Sequence, residues 1–145
     1  MINQGIRPEE ATVLAKADID WGLGLIHIRR GKSLASKRSL RMTSESRAIL
    51  KSRMAGDSAW IFPSSRKPGE PIGRINSAHD QVVEQAGKEG VALTFVPYDF
   101  RHTFATRAAQ SGMDLATLAA LLGHGSIRCV KCYVPPNPTN TEKRP

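Results

Sequence analysis

Cysteine is scarce in this chain of 145 residues: Cys129 and Cys132 stand alone, with no second pair to complete a four-cysteine zinc site. Helical spacing makes the two neighbours on one face, which predicts small semi-buried packing residues; a redox or metal role is the alternative. No cofactor or metal is expected. No apolar run approaches the length that crosses a bilayer, and the N-terminus has neither the charged start nor the apolar middle of a signal peptide. These absences predict a cytoplasmic chain without a membrane segment. Acidic residues are also few, 13 against 21 Lys and Arg, which leaves a formal charge of +8. Because the basic residues are spread along the chain, the excess favours a polyanionic partner, nucleic acid first, with plain solubility as the bland alternative. The length suits one domain with its own core, and no internal repeat is visible.

Local patterns predict a mainly helical fold with a small three-stranded antiparallel sheet on one edge. Pro8, Glu9, Glu10, Ala11, Leu14 and Ala15 predict a helix that begins near Arg7 and runs to Lys16. The stretch from Lys16 to Met42 then loses helical periodicity. Asp18-Ile19-Asp20, the alternating Leu25 to Ile28 and the alternating Arg38 to Met42 read as three strands, with turns at Gly22 to Gly24 and Gly31 to Ser36. Thr43 or Ser44 can cap a following helix that ends near Gly56. Trp60 to Pro63 reads as buried and Ser64 to Pro71 as an exposed loop. Between Ile72 and Gly90, the spacing of Ile75, Val82, Val83 and Ala86 predicts an amphipathic helix packed beneath a site, with His79 a surface or packing residue.

The stretch Pro97 to Tyr133, PYDFRHTFATRAAQSGMDLATLAALLGHGSIRCVKCY, organises the chain. Pro97 opens a helix, Gly112 stops it, Asp114 caps the next, and Gly123 and Gly125 flank His124 where the apolar run LATLAALL must end. His124 is therefore expected on a turn between helices. Tyr133 follows nine residues later, at the end of a short helical segment that begins near Ser126. Folded back, these segments bring Arg101, His124 and Tyr133 to one surface.

The run Arg101-His102-Thr103-Phe104-Ala105-Thr106, then Leu121-Leu122-Gly123-His124, then Tyr133, resembles in order and spacing the C-terminal signature of the tyrosine recombinases, the phage integrase family. Gly5-Ile6-Arg7-Pro8-Glu9-Glu10-Ala11 resembles the family's first arginine motif, which places Arg7 and Glu10 on one helical side. The resemblance implies Tyr133 as nucleophile, Arg7 and Arg101 as phosphate clamps and His124 as a hydrogen-bond donor to phosphate. It implies a general-acid lysine on the turn between the second and third strands, Lys32 by position, with Lys37 the alternative. Glu10 is implied as a supporting carboxylate, and His102 as a structural residue. Tyr98 departs from the pattern: the family usually places histidine three residues before the second arginine, and a phenol is a poor proton acceptor near neutrality.

Those residue types suit phosphodiester exchange without metal. Tyrosine can hold the phosphoryl group in a reversible link, and arginine's planar fork engages two phosphate oxygens at once. A lysine can protonate the departing 5′ oxygen. The implied function is a site-specific DNA recombinase catalytic domain, residues 1–134, working through a 3′-phosphotyrosyl intermediate on double-stranded DNA with other recombinase protomers. Residues 135–145 are expected to form a proline-rich polar tail. With six residues ahead of Arg7, the chain is expected to lack the family's N-terminal core-binding domain and first helices. The alternative function is a truncated prophage integrase remnant that binds DNA without recombining it, and the implied setting is a bacterial, prophage or mobile element. Type IB topoisomerases share a similar constellation, but the compact hairpin and the L-L-G-H motif favour the integrase branch.

Overall fold

A computed structural model of the chain describes residues 1–31 and 34–134, so Lys32 and the 135–145 tail lie outside the described residues. The elements run α1 (Pro8–Thr12), β1 (Ile19–Asp20), β2 (Leu25–Ile28), β3 (Arg38–Arg41), α2 (Ser44–Ser52), α3 (Asn76–Lys88), α4 (Asp99–Gln110), α5 (Leu115–Leu122) and a closing 3₁₀ helix, Ile127–Tyr133. The fold is mostly helical, with one three-stranded antiparallel sheet ordered β1-β2-β3.

Sheet register follows the hydrophobic alternation. Ile26 pairs with Ile19 on one side and Leu40 on the other, so three apolar side chains meet on the inner face. They join Ile6, Leu14, Ile28, Leu50 and Ile61 in a first core. A second core gathers Ala105 and Ala108 of α4, Leu118, Ala119 and Leu122 of α5, and Val130 of the 3₁₀ helix. Burying a side chain such as Leu118, Leu122 or Ile26 contributes about 1.5–3 kcal/mol each. The polar residues of interest stand where these two cores meet.

Three expectations need correction. First, α1 stops at Thr12 instead of reaching Lys16. Its continuation pairs with the segment after α2: the Ile61 amide donates to the Leu14 carbonyl at 2.9 Å and the Lys16 amide to the Ala59 carbonyl at 2.8 Å. A helix would have withdrawn those groups. Second, α3 does not pack beneath a site. Val82 is 55 % exposed, and neither core draws a member from this helix. His79 pins it instead, bonding the Phe95 carbonyl at 2.8 Å and meeting the Phe95 ring edge-on. Third, Cys129 and Cys132 are both exposed. A 3₁₀ helix repeats every three residues, so Val130 and Tyr133 share the inward face while the cysteines line up on the outer one.

The caps are as read. Thr43 accepts the Ser46 amide at 3.2 Å, Asp114 accepts the Thr117 amide at 2.9 Å, and Gly123 ends α5 in the left-handed region at φ +64. Gly5 is also left-handed, at φ +62, and a Cβ there would lie 2.6 Å from a Phe104 ring carbon. Gly5→Ala should therefore combine backbone strain with overpacking and destabilise the fold by on the order of 3 kcal/mol. The check is a urea unfolding midpoint shifted down at unchanged slope.

Candidate active site

Arg101 projects from the first turn of α4 into the seam between the cores and is fully buried. Its terminal nitrogens donate to the carbonyls of Gly5 and Leu122, and one of them also lies 3.2 Å from Nε2 of His124. A guanidinium has only donors, so His124 must offer a lone pair at Nε2 and carry its proton on Nδ1. Arg101 Nε is buried without a hydrogen-bond partner among the described residues. Burial foremost, then repulsion from Arg7, pulls the Arg101 pKa down to about 10. It is charged at neutral pH.

Arg7 stands at the N-cap of α1, where Pro8 opens the helix and Glu10 occupies the third position. The Arg7 backbone amide donates to Glu10 Oε2 at 2.9 Å, its Nη1 to Oε1 at 2.7 Å, and its Nη2 to the Gly123 carbonyl at 3.1 Å. Burial opposes the Arg7 charge, but the Glu10 carboxylate outweighs it and the Tyr98 hydroxyl assists, so the pKa is raised.

The sequence reading missed Arg38. It reaches in from β3, donates from both terminal nitrogens to Glu10 at 2.9 Å, and binds the Leu121 carbonyl through Nε at 2.6 Å. The burial alternation of β3 could have revealed it: Arg38 and Leu40 turn inward while Lys37 and Ser39 turn out. Arg30 was also missed. It lines the same cleft as Arg7 and His124 and lies over the Trp60 ring at 4.7 Å.

That cleft measures about 520 Å³ and is bordered by Arg7, Glu10, Arg30, Ser36, His124 and Gly125. Lys37 falls outside it, in a groove beside His27 and Arg29. His124 loses proton affinity, first to burial and then to repulsion from Arg101, Arg7 and Arg38. It is a neutral donor at pH 7.

Tyr133 lies outside the residues that line this cleft, packed against the second core. Its hydroxyl lies 2.9 Å from Nδ1 of His102, and its ring centroid 5.5 Å from the His102 ring. Tyr98, at the N-cap of α4, lies with its ring centroid 5.2 Å from that of His102. Burial raises the Tyr133 pKa, Cys132 adds to the rise and Arg101 opposes it. The structure thus bonds Arg7 to Glu10 and Arg101 to His124, seats both arginines on neighbouring carbonyls at the end of α5, and sets Tyr98, His102 and Tyr133 near them.

Residues 1–140 match the phage integrase family. The chain belongs to that family. It is 30% identical to tyrosine recombinase XerA of Thermococcus kodakarensis, with 89% of this chain and 46% of the relative covered. It is also 30% identical to tyrosine recombinase XerC of Oceanobacillus iheyensis, with 89% and 44% covered. Among solved structures, the Tn1549 transposon integrase in complex with transposon right end DNA superposes with a TM-score of 0.81 at 20% identity, covering 97% of this chain and 53% of that one. The crystal structure of XerA recombinase gives a TM-score of 0.73 at 25% identity, covering 99% and 55%. The chain spans about half the length of these relatives.

Glu10 is the one carboxylate bonded to these arginines among the described residues, and it yields a pH-dependent prediction. Burial alone would raise its pKa, but Arg38 and Arg7 outweigh burial and hold it below its ordinary value of 4.5. A depressed carboxyl stabilises the fold above its unfolded pKa and loses that stabilisation as pH falls through the folded value. Glu10→Gln should cost about 3–5 kcal/mol at pH 7 by leaving buried cations uncompensated. The gap to the wild type should narrow as pH drops below about 4.5, read from urea midpoints across pH.

Proposed function

We propose that this chain is the catalytic part of a site-specific DNA recombinase, with Tyr133 attacking a phosphodiester to form a 3′-phosphotyrosyl intermediate. The observation that carries the reading is the charge balance at the seam. Three guanidiniums, Arg7, Arg38 and Arg101, converge where Glu10 supplies one negative charge. Two positive charges stay uncompensated in that bonded cluster, with Arg101 buried behind the cleft that Arg7 and Arg30 share with Glu9 and Glu10, and the excess favours a phosphoryl group gaining charge in the transition state. Arg7 fronts the cleft and engages the phosphate, Arg101 lies behind it, and His124 donates from the turn after α5. Glu10 and Arg38 hold Arg7 in place.

The general acid is Lys32. Its sequence neighbour Gly31 borders the cleft, as does Ser36, whereas Lys37 lies in the outer groove. Double-stranded DNA is the substrate, and synapsis of two sites requires association of protomers. The net charge of +8 supports binding dominated by phosphate contacts and weakened by salt. Tyr98 in place of histidine favours a second reading, a DNA-binding remnant without strand exchange.

The test is capture on a randomised duplex pool carrying bridging 5′-phosphorothiolates, whose sulfur departs without an acid. A denaturant-resistant adduct is expected from the wild type, none from Tyr133→Phe, and at least 100-fold slower formation from Arg7→Ala. DNA binding by a folded wild type that yields no adduct, even with a core-binding domain supplied, would establish the remnant reading.

A further inference from the structure

Tyr133 is a poor nucleophile while it holds its proton, and its environment makes that proton harder to lose. The arginines and His124 offer Tyr133 no base. Arg7 and Arg101 have no acceptor, and the Nε2 lone pair of His124 is already taken by Arg101. Tyr98, where the family usually has histidine, is a phenol. A nitrogen does face the Tyr133 hydroxyl, however: Nδ1 of His102, at 2.9 Å, one helical residue beyond the buried arginine.

We propose that His102 is the proton acceptor for Tyr133 in strand cleavage and returns the proton in rejoining, replacing the histidine that position 98 lacks. The proposal rests on the reading of Tyr133 as nucleophile. In cleavage the Tyr133 Oη–H proton passes to Nδ1 of His102, whose neutral ring carries its other proton on Nε2. The phenolate oxygen bonds to phosphorus as the P–O5′ bond breaks, and its electron pair leaves on the 5′ oxygen, which the lysine protonates. In rejoining the neutral lysine takes the proton of the attacking 5′-hydroxyl as O5′ bonds to phosphorus, the P–Oη bond breaks, and the imidazolium gives its proton to the departing tyrosyl oxygen.

Geometry and exposure both suit the role. His102 lies on α4 immediately after Arg101, which is locked by two carbonyls, so the imidazole stands on a fixed platform. The residue is exposed, so water can satisfy Nε2–H and stabilise the imidazolium. The titratable groups facing the pair are Tyr98 from the start of α4, Cys132 beside Tyr133 on the 3₁₀ helix, and Arg101 beneath.

The experiment uses one phosphorothiolate duplex recovered from the capture pool and follows adduct rate against pH for wild type, His102→Gln, and His102→Gln with Tyr98→His. Glutamine keeps a hydrogen bond to the phenol but cannot take its proton. Expected is a wild-type rate that rises with pH through a single ionisation. In His102→Gln the rate should fall about 100-fold at pH 7 and lose that ionisation, with DNA affinity and urea midpoint unchanged. Tyr98→His in the same background should restore at least tenfold of the loss and bring the ionisation back. An adduct that forms in wild type and His102→Gln at equal rates with one pH profile overturns the proposal alone. No adduct from wild type overturns the nucleophile reading and the proposal with it.

Discussion

A single buried guanidinium ties the two ends of this chain together. Arg101 donates to the carbonyl of Gly5, 96 residues away, and to the carbonyl of Leu122, and thereby fixes the N-terminal turn against the end of α5. Neither carbonyl belongs to a completed ladder. Gly5 precedes α1, and Leu122 is among the last residues of α5, whose terminal carbonyls have no intrahelical donor. A charged donor meeting two orphan acceptors in a desolvated seam makes bonds stronger than neutral ones. Such a bond also discriminates between arrangements, because any shift of α5 against the N-terminal turn strands a buried charge.

The neighbouring arginines use the same device. Arg7 takes the Gly123 carbonyl and Arg38 the Leu121 carbonyl, so three successive carbonyls at the end of α5 each receive a guanidinium from a different element. A helix C-terminus carries partial negative charge, and cations gather there favourably. The first core, the sheet and the second core are thereby sewn together through one helix end. Gly123 is where this succeeds sterically: a Cβ would lie 2.8 Å from an Arg38 nitrogen, and its left-handed backbone turns His124 toward Arg101.

Much of this was legible from residue order alone. The strands follow from alternation along each segment, and the caps at Thr43 and Asp114, the stop at Gly123 and the pairing of Arg7 with Glu10 follow from groups within four residues of one another. What escaped is what depends on distant partners. Arg38 read as one more basic residue of a strand, since nothing nearby announces a carboxylate 28 residues earlier. The early end of α1 depends on Ala59 and Ile61, and the exposure of α3 depends on two cores that are filled without it. The cysteines were misplaced by a matter of pitch, the 3₁₀ repeat of three instead of 3.6.

The same cations that suit the cleft to phosphate make it hostile to a base. Repulsion from Arg101, Arg7 and Arg38 adds to burial in lowering the proton affinity of His124, which favours a neutral donor and disfavours an acceptor that must become cationic. A group that must accept a proton therefore belongs outside the arginine cluster, near enough to touch the phenol and wet enough to carry charge. On α4 those demands separate within one residue. Arg101 turns inward with no exposure, and His102 turns outward to Tyr133. Successive helix positions differ by about 100° in direction, so adjacent residues can serve opposite electrostatic environments from one rigid backbone.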